Sequence, residues 1–176
     1  VQSYNINIPP DATMLQMIEA LWKIPREIVS DGYASALEAL SKQVPMTISK
    51  YRTGTKCWTW LVPEKWTCFE AYIESMDGER IVDYKNNPLH CISYSLPFKG
   101  IVSREELFKH LYTHPHIPQA IPYIFKPYEK DWGFSCSEVT KNSLSDKEYN
   151  VFINTEFSFG ELQVGEVIVE GESKDS

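Results

Sequence analysis

The 176 residues carry 43% hydrophobic and 13% aromatic side chains, enough apolar surface for a packed core and too much for a disordered chain. Seventeen Lys and Arg against twenty-four Asp and Glu give a formal charge of -7, so there is no broad positive field to hold a nucleic-acid backbone or an anionic membrane. The longest apolar runs, such as Val167-Ile168-Val169, fall far short of the ~20 residues that a membrane-spanning helix needs.

From Met14 to about Gln43 the apolar residues Met14, Ile18, Leu21 and Trp22, then Tyr33, Ala36, Leu37 and Leu40, recur at helical spacing. Pro25 cannot continue the first helix, and Ser30 or Asp31 can cap the second, which predicts two short helices. Their apolar stripes need a cover, so Leu21, Trp22 and Leu37 are expected to be exposed and the chain to self-associate if that cover is missing.

After Val44 the period turns to alternation, with Met46 and Ile48 on one side of a strand and Phe69, Ala71 and Ile73 on one side of another. Asp77-Gly78 between "FEAYIES" and "RIVDY" predicts a hairpin with a type I′ turn. Further strands are expected at Cys57 to Val62, Cys91 to Ser95, Trp132 to Ser137, Tyr149 to Asn154 and Val167 to Glu170. Ser103 followed by Glu106 is a capping box for a helix ending near Tyr112. The four prolines between His114 and Tyr128 leave that segment as loop or short edge strands. The class is therefore α+β, N-terminal helices followed by a β-rich sandwich or jelly-roll-like domain.

The residues that could carry chemistry are sparse. His110, His114 and His116, with His90 upstream, are imidazoles suited to zinc, copper or nickel, but Pro115 and the helix end separate them, and no nearby carboxylate or thiolate completes a usual zinc set. The competing reading places His110 on the helix C-terminal dipole and the others in a solvated loop. Trp58, Trp60, Trp132 and Tyr123 could form a platform for a saccharide or peptide. Alternation nevertheless puts Trp58, Trp60 and Val62 on one face of a strand, where two tryptophans belong to an interior.

The carboxylates cannot be sorted into acid and base. There is no G-x-S-x-G elbow, glycine-rich phosphate loop, H-E-x-x-H helix or dinucleotide fingerprint. Cys57, Cys68, Cys91 and Cys136 form no C-x-x-C pair and read as buried thiols. The N-terminus has no basic region leading into an apolar one, so a cytoplasmic setting is expected, and the final "EGESKDS" reads as a polar surface stretch.

Several phrases in order, "SDGYASALEAL", "GTKCWTWLVPEKW", "AYIESMDGERIVDYKNNPLHCISYSLPFKG", "HPHIPQAIPY", "WGFSCSE" and "YNVFINTEFSFGELQVGEVIVEGES", resemble the N-terminal part of a bacterial and archaeal family. Its members carry an aminopeptidase-like domain and are associated with polysaccharide biosynthesis. The resemblance implies a zinc-aminopeptidase-like α/β/α core interrupted by a β-rich domain of unknown function. On that reading residues 1–52 begin the core, 53–153 are the inserted domain, and 154–176 return toward the core.

The family's zinc ligands lie in a later "HxCHPS" type segment with no counterpart here, so the resemblance implies zinc for the full-length family and neither a cofactor nor a catalytic residue in this chain. The chain would then be an N-terminal fragment, inactive alone, with the missing C-terminal part of the same polypeptide as its partner and the β domain shaping access to the active site. "NNPLH" at Asn86 to His90, Tyr123 and Trp132 match recurring family positions. His90 and Tyr123 would then supply hydrogen bonds to a substrate and Trp132 an apolar wall. The alternative is a stand-alone β-sandwich module that binds a saccharide or peptide.

Overall fold

The computed structural model describes residues 4–171, and they form a mixed α+β fold with no closed barrel. In chain order, α1 (Met14–Leu21), α2 (Asp31–Ser41), β1 (Thr47–Arg52), β2 (Lys56–Cys57), β3 (Trp60–Leu61), β4 (Lys65–Glu74) and β5 (Arg80–Asp83) come first. A single 3₁₀ turn (Pro88–His90) precedes β6 (Phe98–Ser103), α3 (Arg104–Lys109), β7 (Leu111–Tyr112), β8 (Phe134–Ser135), α4 (Glu138–Ser143), β9 (Glu148–Ser158) and β10 (Glu161–Glu166). The described residues divide into two compact units, one of residues 4–65 with 159–171, the other of residues 66–158. No described helix is long and apolar enough to cross a membrane.

In the first unit both helices start on side-chain caps. Thr13 and Gln16 form a reciprocal capping box, and the Ser30 hydroxyl accepts the Tyr33 N–H at 3.1 Å. Gly32 lies so close to Pro25 that a Cβ there would stand 1.8 Å from the Pro25 carbonyl oxygen, and this closeness holds the linker against the first turn of α2. Beneath α2 runs the antiparallel pair β1 and β10. At Gly165 a Cβ would stand 2.4 Å from Met46 Sδ and 3.1 Å from Leu37 Cδ2, so the missing side chain is what lets the helix settle on the strand. Lys65 closes the unit with Nζ 3.1 and 3.2 Å from the two Asp31 carboxylate oxygens, both side chains about four-fifths buried.

The second unit is built on a four-stranded sheet in the order β5-β4-β9-β6. β9 alternates as its sequence dictates: Tyr149, Val151, Ile153 and Thr155 point into the core, joined from β4 by Trp66, Cys68, Ala71 and Ile73. Leu107 of α3, Leu111 of β7, Phe134 of β8 and Cys136 belong to the same core, with Val82, Tyr84, Cys91, Tyr94 and Leu144. The Tyr149 hydroxyl accepts the Asp146 N–H at 2.9 Å, which ties the loop ahead of β9 to the strand.

Several expectations need correction. Cys57 to Val62 is a two-residue hairpin between β2 and β3: Trp58 takes φ 50° at its tip and is 95% exposed, Trp60 lies at the surface, and only Val62 is buried. Cys91 to Ser95 turns instead of running extended, with Tyr94 at φ 71° and only isolated bridges to Phe134 and Phe125. The last strand is β10, and Val167 to Glu170 lies outside it. Phe69 is exposed, because the buried phase of β4 slips between Cys68 and Ala71. The β4–β5 hairpin exists, but its only positive φ is at Gly78, and Gly78 N–H reaches the Ser75 carbonyl at 3.1 Å. That is a turn followed by a left-handed glycine, not a type I′ pair.

In the helices, α3 ends at Lys109, one turn earlier than expected, and Leu21 is buried while Trp22 is exposed. None of the four cysteines is bridged; three are buried and Cys57 is half-buried. Most of the terminal "EGESKDS" falls outside the described residues.

Candidate functional site

His90, His110, Tyr123 and Trp132 fall into separate groups of the second unit. His90 ends the 3₁₀ turn, which Asn87 caps by accepting the Leu89 N–H at 3.0 Å and which Pro88 starts with its fixed φ. His90 Nδ1 lies 2.8 Å from the Ser135 carbonyl oxygen. A carbonyl only accepts, so Nδ1 is the donor in this contact. Beside it the Ser135 hydroxyl is fully buried and has no hydrogen-bond partner among the described residues.

His110 and Trp132 form a second group. His110 is the C-cap of α3, and its ring lies flat on Trp132 at 4.0 Å, which in turn stacks on Phe98 at 4.4 Å. His110 Nδ1 donates to the Trp132 carbonyl at 3.0 Å, with Asp131 Oδ1 at 3.4 Å, while Nε2 faces Glu106 Oε1 at 3.4 Å. Lys109, bonded to Glu106 at 2.7 Å, holds that carboxyl below the usual carboxylate range. Trp132 is thus half-buried between the rings of His110 and Phe98.

Tyr123 belongs to a third group. It is 56% exposed, and its ring is nearly parallel to that of Phe125, 6.3 Å away and inclined by 18°. Phe125 meets Tyr94 edge-on at 5.7 Å, and Tyr94 stacks on the buried Trp66 at 6.1 Å. Phe98, Phe125 and Tyr94 were not foreseen as site residues. The alternation Tyr123, Phe125 beside Pro122 was the one available signal. Nothing in the sequence marks a tyrosine as left-handed.

The histidines do not converge. His114 Nδ1 accepts the N–H groups of His116 and Ile117 at 3.2 and 3.0 Å, capping its own loop, while His110 is committed to the tryptophan stack. Among the described residues no three of His, Cys, Asp or Glu stand together in a way that could hold a metal ion. The donor set that zinc requires is not assembled from the described residues. The Cys136 thiol is no nucleophile at neutral pH, because burial pushes it up to about 11. Of the four aromatic residues singled out, Trp58 and Trp60 lie in the first unit and Tyr123 and Trp132 in the second.

Comparison with known proteins places this geometry in context. The chain is 34% identical over 159 residues to a Clostridium acetobutylicum protein described as "Putative polysaccharide biosynthesis protein with aminopeptidase-like domain", a match covering 90% of this chain and 37% of the relative. A crystal structure from the same organism, described as a "putative peptidase", superposes with a TM-score of 0.79 at 34% identity, covering 90% of this chain and 38% of that one. The chain therefore spans a little over a third of the length of the relatives it matches. Residues 65–156 match the family profile described as "Domain of unknown function (DUF2172)", a span coinciding with the second unit to within two residues at either end, and the chain belongs to that family.

Proposed function

We propose that this chain supplies the non-catalytic, access-restricting part of an aminopeptidase-like hydrolase, with the second unit as its inserted β domain. The observation that carries the reading is the likeness over nine-tenths of the chain to a protein described as having an aminopeptidase-like domain. The described residues, for their part, bring no metal-donor set together. Zinc, polarising an amide carbonyl and activating a water, would be held by residues other than those described. The described residues would instead present surface to a peptide, with His90 Nε2 and the Trp132 edge as the groups nearest to substrate chemistry.

A chimera tests this. The matched third of the clostridial relative is replaced by this chain, and hydrolysis of aminoacyl amides of increasing side-chain size and peptide length is compared with that of the parent. The chimera is expected to keep the hydrolysis and to change the order of preferred substrates. An unchanged order would remove the access-restricting role, and hydrolysis by this chain alone would remove the non-catalytic one.

A further inference from the structure

Trp58 combines a strained backbone with a side chain left almost wholly in solvent. It fills the first of the two loop positions between Cys57 and Trp60, which pair across β2 and β3. Its φ of 50°, with no positive φ at Thr59, makes this the loop position that a type II′ hairpin normally gives to glycine. The base of the hairpin is fixed: Gly54 N–H bonds the Val62 carbonyl at 2.8 Å, Val62 N–H bonds the Thr55 carbonyl at 2.9 Å, and Val62 itself is buried. The tip is 95% exposed, so within the described chain the indole gains no packing to set against the left-handed conformation. A large aromatic residue kept in such a place, at the end of a firm support, has the build of an anchor for another surface.

The unit that carries the tip points to what it meets. Among the described residues the first unit buries only Leu21, Val29, Ala36, Ala39 and Val62 as apolar side chains. Met14, Leu15, Ile18 and Trp22 meanwhile line one stripe of α1 and its C-cap at 47–75% exposed. They stay exposed in the described chain as a whole, so the layer that completes this packing comes from outside the described residues. The chain covers 37% and 38% of the two relatives, which leaves the greater part of each polypeptide to provide that layer. An anionic membrane is disfavoured by the formal charge of -7. We propose that Trp58 is the anchor by which the first unit docks into an apolar pocket on the aminopeptidase-like remainder of the polypeptide. The identity of that partner rests on the hydrolase reading, whereas the docking needs no part in restricting access.

The test compares the 176-residue chain with the chimera in which it replaces the matched third of the clostridial relative, by hydroxyl-radical footprinting and peptide mass mapping. Oxidation of Trp58 is expected to fall about tenfold in the chimera as the indole passes from 95% exposed to buried, with the buried Trp66 protected in both proteins as the sign of intact folding. In the chain alone, Trp58→Gly relieves the left-handed angle and is expected to raise the urea midpoint by roughly 0.5 M, a result that does not depend on the chimera's folding. In the chimera the same substitution is expected to lower the midpoint, because the pocket loses its occupant. Equal oxidation of Trp58 in both proteins, or a midpoint that Trp58→Gly fails to raise in the chain or to lower in the chimera, overturns the proposal. Self-association of the chain that Trp58→Gly abolishes in sedimentation assigns the tip to a second copy and overturns it as well. Footprinting reads no hydrolysis, so a protected Trp58 beside an unchanged substrate order leaves the docking standing and removes only the access-restricting role.

Discussion

Replacing Tyr94 by alanine and, separately, by glycine isolates the energy held in one backbone angle. Tyr94 is 2% exposed and contacts the rings of Trp66, Phe125 and Phe157 at 6.1, 5.7 and 6.2 Å, so removing the side chain should cost about 3–5 kcal/mol in either variant. The two then differ only in backbone terms. At an ordinary position glycine is the weaker residue by about 0.4–1 kcal/mol, through the entropy of the unfolded chain. At φ 71° alanine instead carries a left-handed penalty of about 1–2 kcal/mol that glycine escapes. The order should therefore invert, with Tyr94→Gly more stable than Tyr94→Ala by about 1 kcal/mol. In urea, with a slope of about 2 kcal/mol/M, that is a midpoint difference of roughly 0.5 M by far-UV circular dichroism. An alanine variant as stable as the glycine one, or more so, refutes the strained turn at Tyr94.

Other expectations follow from close contacts and from burial. Gly32→Ala meets a rigid backbone carbonyl and should destabilise the first unit by about 1–3 kcal/mol, whereas Gly165→Ala meets the movable Met46 side chain and should cost less; paired thermal melts rank them. Asp31→Asn leaves the mostly buried Lys65 ammonium without its counter-charge and should cost about 1–3 kcal/mol, read from denaturant midpoints, with Asp31→Asn plus Lys65→Met recovering part of the loss. Because the folded Cys136 thiol titrates near 11, above its ordinary 9.0, the unfolded chain loses this proton first as pH rises. This contribution is complete below about pH 9 and declines between about 9 and 11, and Cys136→Ala should flatten that part of the stability curve. At pH 8 iodoacetamide should modify Cys57 ahead of the buried Cys68, Cys91 and Cys136, as peptide mass mapping would show.

The elements legible in the sequence were those in which one local rule agreed with burial. β9 alternates over Tyr149, Val151 and Ile153 and folds that way, and Ser30 and Ser103 cap the helices that their positions announce. Where a rule and the tertiary contacts disagreed, the contacts won. Val167-Ile168-Val169 has the stronger strand propensity, yet the last strand is "ELQVGE", because Gly165 is the residue that fits under Met46 and Leu37. "CWTWLV" alternates well enough for a strand, but the pairing of Cys57 with Trp60 makes Trp58 the turn. α4 went unseen because its one apolar residue with a helical register, Val139, is exposed, so no stripe was there to be read, and only the Ser137 cap marks it. The candidate site was legible as residue types and not as groupings. His90, Tyr123 and Trp132 each occupy a distinct environment, and the partners that define those environments, Ser135, Phe125 and Phe98, lie far away along the chain or carry no polar signal.

The most direct test of the functional account sets this chain beside its clostridial relative in one assay, both supplied with zinc and a panel of aminoacyl-coumarin amides. The expected result is turnover by the relative, abolished by a chelator and restored by zinc, and none by the 176-residue chain. Turnover by this chain alone would contradict the assignment of catalysis to residues outside it, and silence from both proteins would contradict the aminopeptidase reading itself.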